Sequence, residues 1–244
     1  MPDAMKLLVS PTDEKDAVEA VKGGADIIDV KDPSVGSLGA ASPGLIRLVK
    51  RVVGEGIPVS AAIGDVPNLP GTIAQAALGA SIAGADFVKV GLYGTRNHEE
   101  ARRVLHSVVH ALEEFGRDSV AVAALYADHA RAGTMDPMDL PRIAEGINVG
   151  VVMVDTAVKD GKNLFDFMST ERVAKFVDVS REQNFRVALA GSLSGESFKK
   201  ATLLRPDIVG VRTAALSGGN RDSGRVDSEL VAELKRTVKE SRAT

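Results

Sequence analysis

Short apolar runs and amphipathic stretches alternate along the whole chain. The runs fall at residues 6–10, 26–31, 58–64, 87–92, 119–126, 149–156, 186–192 and 207–212. Helix-period patterns lie between them, at 13–22, 45–53, 72–83, 99–115, 170–183 and 228–239. Strand-length runs separated in this way predict βαβ crossovers and a parallel sheet. Eight such units within 244 residues predict a single-domain (β/α)8 TIM barrel over residues 1–244. An open doubly wound sheet shares the periodicity, because periodicity cannot see closure. Against it, no G-x-G-x-x-G fingerprint follows the first strand. Irregular sequence gathers after strands, at 32–42, 65–71, 160–167 and 217–225. In a barrel these loops share the C-terminal face, where active sites of this fold sit.

Composition narrows the function classes. Apolar residues make up 44% of the chain but aromatics only 4%, so the core is built from Val, Ile, Leu and Ala, as buried parallel strands require. A net charge of −3 leaves no basic excess for nucleic acid or a membrane surface. The absence of cysteine excludes disulfides, thiolate catalysis and cysteine-ligated metals. The N-terminus has no apolar signal region, and no stretch approaches the roughly 20 apolar residues of a membrane span. A cytoplasmic protein is expected. His98, His106, His110 and His129 form no metal constellation; His106 and His110 are four apart on an amphipathic helix without a zincin-type acidic partner. Neither a metal nor a cofactor is expected.

Charges interrupt the apolar runs at the strand ends. In Asp-Ile-Ile-Asp-Val-Lys, period-2 alternation puts Ile28 and Val30 on one face and Asp29 and Lys31 on the other. Helices cover the outer face, so the charged pair points into the barrel. The same logic sends Lys89 and Asp155 inward, with Lys159 following at the loop edge. One Lys–Asp pair reads more readily as an internal bridge. Three lysines and two aspartates at one face read as function, because burying charge costs several kcal/mol per ion unless it is paired. A lysine beside other cations gives up its proton more easily, and the free amine condenses with aldehydes and ketones.

The last two strands suggest an anion site. Ala-Gly-Ser-Leu-Ser-Gly at 190–195 is a small-residue turn leading into a helix, and Arg212 ends the eighth run ahead of Gly218, Gly219, Asn220 and Arg221. Barrels bind phosphate with backbone N–H groups after strands seven and eight. On this reading Gly191, Ser192, Arg212, Gly218 and Gly219 are candidate phosphate contacts, although the glycines alone read equally as ordinary turns. Tyr126 and Asp128, at the end of the fifth run, are weaker site-lining candidates. The Gly-Asp-Val-Pro-Asn-Leu-Pro-Gly loop at 64–71 either positions substrate or stiffens the chain.

Several longer motifs resemble one family. Leu-Leu-Val-Ser-Pro (7–11), Gly-Gly-Ala-Asp-Ile-Ile-Asp-Val-Lys-Asp-Pro (23–33), Gly-Ser-Leu-Gly-Ala (36–40), Gly-Asp-Val-Pro (64–67), Lys-Val-Gly-Leu-Tyr-Gly (89–94), Asp-Thr-Ala-Val-Lys-Asp-Gly-Lys (155–162), Leu-Phe-Asp-Phe (164–167) and Asp-Ile-Val-Gly-Val-Arg (207–212) are similar to the (5-formylfuran-3-yl)methyl phosphate synthases. The resemblance implies a TIM barrel that joins two molecules of glyceraldehyde 3-phosphate into the furan of methanofuran, losing one phosphate and two waters. It also implies Lys31 as the Schiff-base lysine, Lys89 as proton acceptor, and Asp29, Asp155 and Lys159 as aids to proton transfer and elimination. A class I phosphosugar aldolase and a non-catalytic phosphometabolite-binding barrel share the lysine and phosphate logic. Oligomeric state, a homo-oligomer included, is open at this level.

Overall fold

The computed structural model describes residues 4–219 and 223–241; Asn220 and Arg221, named above, lie outside them. Eight strands form one closed parallel barrel in chain order. They are β1 Lys6–Val9, β2 Ile27–Val30, β3 Val59–Ala62, β4 Phe87–Gly91, β5 Val120–Tyr126, β6 Val151–Asp155, β7 Arg186–Leu189 and β8 Ile208–Val211. Closure is the β1–β8 pairing, with Lys6 opposite Ile208 and Val9 opposite Val211. The barrel predicted from the alternation is therefore present and the open sheet is not.

The helices around it are α1 Glu14–Lys22, α2 Pro43–Val53, α3 Pro70–Ala83, α4 His98–Phe115, α5 His129–Ala132, α6 Leu140–Ala144, α7 Thr170–Glu182, α8 Gly195–Leu203 and α9 Ser228–Glu240. Side chains of Asp13, Ser42, Asn97, Ser169 and Asp227 cap five of them by accepting first-turn N–H groups, each cap worth about 1 kcal/mol. Between β5 and β6 the helical pattern is weak and the structure has only the short α5 and α6. Gly133 ends α5 in the left-handed region, and Pro137 and Pro141 reset the chain before and within the first turn of α6.

Strand periodicity sorts the core into two layers. Outward residues such as Ile28, Val30, Val88, Val90, Val152 and Val154 pack under the helices. Inward residues such as Leu8, Ile27, Phe87, Val122, Met153 and Ile208 fill the barrel. At the N-terminal face an acidic device recurs three times. Asp26, Asp86 and Asp207, each just ahead of a strand, accept the backbone N–H of Leu7, Val59 and Val187 at 2.7, 2.7 and 2.8 Å. Lys235 and Lys50 pair with the first two. Charge at that end stitches neighbouring strands together and leaves the C-terminal end for the site.

Candidate active site

The inward charges predicted from alternation meet at the C-terminal mouth. Asp29, on β2, is fully buried and is held by Lys89 of β4, whose Nζ donates to both carboxylate oxygens at 2.8 and 2.9 Å. Ser10, just past β1, donates its Oγ to Asp29 at 2.9 Å. Lys31 stands one residue beyond β2 with its Nζ 3.9 Å from Asp29 Oδ2, outside hydrogen-bonding range. Asp155, the last residue of β6, accepts from Lys159 Nζ at 2.6 Å, and Lys159 also donates to Thr156 Oγ1 at 2.9 Å.

These placements set the charge states. Burial first, and then the neighbouring Lys89 ammonium, lower Lys31 from 10.5 to about 7, against the opposing pull of Asp29 and Asp155. Burial alone would raise the Asp29 carboxyl, but Lys89 and Lys31 outweigh it and hold the group below the usual carboxylate range. Asp155 follows the same pattern: Lys159 and Lys31 overcome its burial and keep it well below that range. At neutral pH two carboxylates stay ionised around a lysine that is roughly half free amine.

A cleft opens over this cluster, lined among others by Lys31, Lys89, Lys159, Gly191, Ser192 and Arg212. Gly191 has φ +109, and a side chain there would press on Thr156. The turn therefore brings its backbone against the loop that carries Lys159. Ser192 also has positive φ, and α8 begins three residues later. Arg212 is buried, and one of its guanidinium nitrogens donates to Ser10 O at 3.2 Å. Gly218 and Gly219 are not brought to the cleft; they sit in an exposed turn, Ser217–Gly219. Tyr126 and Asp128 do not line it either. Asp128 accepts from the N–H groups of Ala157 and Val158 at 2.6 and 3.0 Å, fixing the loop that presents Lys159. Ser10 and Thr156 are members that sequence reasoning passed over. Ser10 was findable, because it shares the inward parity of Leu8. Among the described residues no group of three or more His, Asp or Glu side chains is arranged to hold a metal, and no helix is long and apolar enough to cross a membrane.

A closed barrel with interlocked lysines and aspartates at its C-terminal mouth is the build of a (β/α)8-barrel enzyme. Residues 7–235 match the family described as 4-HFC-P synthase. The (5-formylfuran-3-yl)methyl phosphate synthase of Methanopyrus kandleri is 53% identical over 229 residues, 94% of this chain and 97% of its own. That of Methanocaldococcus jannaschii is 49% identical over 235 residues, 96% of this chain and 100% of its own. The chain belongs to this synthase family. Among solved structures, 3-hexulose-6-phosphate synthase from Salmonella typhimurium superposes with a TM-score of 0.65 at 21% identity, covering 97% of this chain and 98% of its own. Orotidine 5'-phosphate decarboxylase from Pyrococcus horikoshii gives 0.62 at 19%, with 98% and 100% covered. Both likenesses concern the barrel alone.

Proposed function

We propose that the protein condenses two molecules of glyceraldehyde 3-phosphate into (5-formylfuran-3-yl)methyl phosphate through an imine on Lys31, supplying the furan of a methanofuran-type cofactor. The observation that carries this reading is the division of labour among the lysines. Lys89 and Lys159 are locked to carboxylates, while Lys31 faces the cleft with its proton weakly held. Its amine adds to the aldehyde carbon of one triose phosphate and water leaves. The imine acidifies the C2 proton; its removal leaves an electron pair that expels phosphate from C3. The second triose isomerises to its ketose; C3 of the Lys31-bound enol adds to its C2 carbonyl, whose oxygen takes a proton. Its C1 hydroxyl closes onto C2 of the first unit, and loss of the hemiketal and tertiary hydroxyls as two waters gives the aromatic furan. Water lost on imine formation returns when the product is hydrolysed from Lys31, so the net loss is one phosphate and two waters. The C2 proton leaves at the Lys89–Asp29 pair, with Lys89 as the proton acceptor. Asp155 and Lys159 serve the eliminations as base and acid. Gly191, Ser192 and Arg212 hold a phosphate at the far side of the cleft.

Incubation with glyceraldehyde 3-phosphate is expected to yield a near-ultraviolet furan chromophore and the matching product mass. Borohydride added during turnover is expected to fix the triose-derived mass on the peptide carrying Lys31. An open-chain product would make the protein an aldolase, and labelling on Lys89 or Lys159 would overturn the assignment of Lys31.

A further inference from the structure

The cleft lies to one side of the barrel mouth. Its lining comes from the ends of β6, β7, β8, β1 and β2 together with Lys89, whereas no residue of β3 or β5 contributes. Leu38, from the loop after β2, closes that other side. Its side chain is fully buried among Ala62, Ala124 and Tyr126 inside the barrel mouth.

Three connections hold it there. The Leu38 backbone N–H donates to Asp65 Oδ2 at 3.0 Å. The other oxygen of Asp65 accepts from the Tyr126 hydroxyl. One residue earlier, Ser37 Oγ donates to Thr156 O at 2.8 Å, which ties the same loop to the end of β6. Gly91 makes the fit possible. A Cβ at this position would lie 2.4 Å from the Tyr126 hydroxyl, 2.5 Å from Asp65 Oδ1 and 3.1 Å from a Leu38 methyl. Inward positions of β4 run Phe87, Lys89, Gly91, so the plug sits over Gly91, one layer above Lys89 and the Asp29 that it holds. Burial and then the Asp65 charge push Tyr126 well above the usual phenol range, which keeps the phenol a donor. Tyr93 stacks edge-on against it at 5.9 Å.

We infer that Tyr126, Asp65 and Leu38 are positioning residues: they seal the β3–β5 side of the mouth, keep water from the Lys89–Asp29–Lys31 cluster and confine substrate to the opposite side. The inference rests on the Lys31 reading above and extends it to residues that do not touch the cleft. Water exclusion matters because desolvation is the largest influence lowering Lys31. The charged groups acting most strongly on that amine are Asp29 on β2, Lys89 on β4, and Asp155 and Lys159 at and after β6, and Arg212 after β8 lines the same cleft. None of these is altered by a change at Tyr126 or Leu38.

The test uses Tyr126→Phe, which keeps the ring and deletes the donor, and Leu38→Val, which thins the plug and leaves every hydrogen bond. The pH dependence of Lys31 acetylation by acetic anhydride, read by mass spectrometry in the free protein, reports the amine without any triose. Its midpoint is expected to rise by about one pH unit in both variants as water reaches the cluster. In turnover, kcat at neutral pH is expected to fall roughly tenfold with KM changed by less than about twofold. An unchanged acetylation midpoint in either folded variant, with only thermal stability lowered, would make the plug merely structural. Failure of the Lys31 mechanism is read separately, by the absence of a borohydride-trapped adduct in the unmodified protein.

Discussion

Removing Lys31 should abolish activity and, at mildly acidic pH, make the free protein more stable. The ordinary lysine value is 10.5 and that of Lys31 is about 7, a gap equivalent to an upper bound of ~5 kcal/mol of destabilisation. The sign follows from proton binding. Between pH 7 and 10.5 the unfolded chain holds a proton that the native chain has released, so stability climbs with pH through that window. Below pH 7 the full penalty is present. Lys31→Met takes the buried ammonium away and fills its place with an unbranched apolar chain. Asp29 keeps Lys89 and Ser10, and Asp155 keeps Lys159, so neither carboxylate is stranded. Both nonetheless lose an attractive neighbour, which reduces the expected gain at pH 6 to about 1–3 kcal/mol. Denaturant midpoints at pH 6 and pH 9.5 measure this, with a melting temperature raised by roughly 2–10 °C at the lower pH. The gain should shrink towards pH 9.5, where the parent lysine is deprotonated as well. A variant less stable than its parent at pH 6 would sink the reasoning, since Lys31 would then be a structural ammonium holding Asp29 in place.

Arg212→Ala is expected to weaken use of triose phosphate by roughly ten- to a hundredfold, because charge-assisted bonds to phosphate contribute about 1.5–3 kcal/mol. Thermal melts with and without inorganic phosphate decide its role: early melting of the free protein with phosphate affinity retained would mark the Ser10 contact as its purpose. Gly91→Ala is expected to cost ~1–3 kcal/mol of stability, since the new methyl overlaps the Tyr126–Asp65 contact. A Gly91→Ala protein melting with the parent would mean that this contact yields without cost.

Much of this architecture was readable from residue spacing. Asp29, Lys31, Lys89 and Asp155 were assigned inward because helices cover the outer face of every strand, and parity then decides the rest. Arg212 was placed beside the 191–192 turn because strands seven and eight are neighbours in a closed barrel. What parity cannot follow is the loops. The Lys159–Asp155 bond depends on a turn that Asp128 pins through two backbone N–H groups, and no spacing rule encodes that. Gly218 and Gly219 show the converse: glycine licenses a turn without saying which way it faces, and this one faces solvent. The 64–71 loop hid its purpose for a similar reason. Asp65 acts through partners 27 and 61 residues away, pairings that only tertiary structure creates.

The selection of one lysine among three follows from counting charges at the mouth. Lys31, Lys89 and Lys159 share two carboxylates, so one ammonium has no carboxylate of its own in a buried, poorly solvated place. Electrostatics alone would leave the choice open, because any of the three could release its proton to relieve the excess. Geometry closes it. Lys89 reaches both oxygens of Asp29 from β4, and Lys159 folds back on Asp155 from a pinned loop. Lys31 leaves its strand one residue too late for a short contact and stands at 3.9 Å. It therefore carries the penalty of burial with the weakest compensation. The same two pairs that deny it a partner supply the cation that depresses it and keep two ionised carboxylates beside it. On the function proposed above, an amine made available by its neighbours' pairing is suited to attack an aldehyde at neutral pH, with two Lys–Asp pairs beside it.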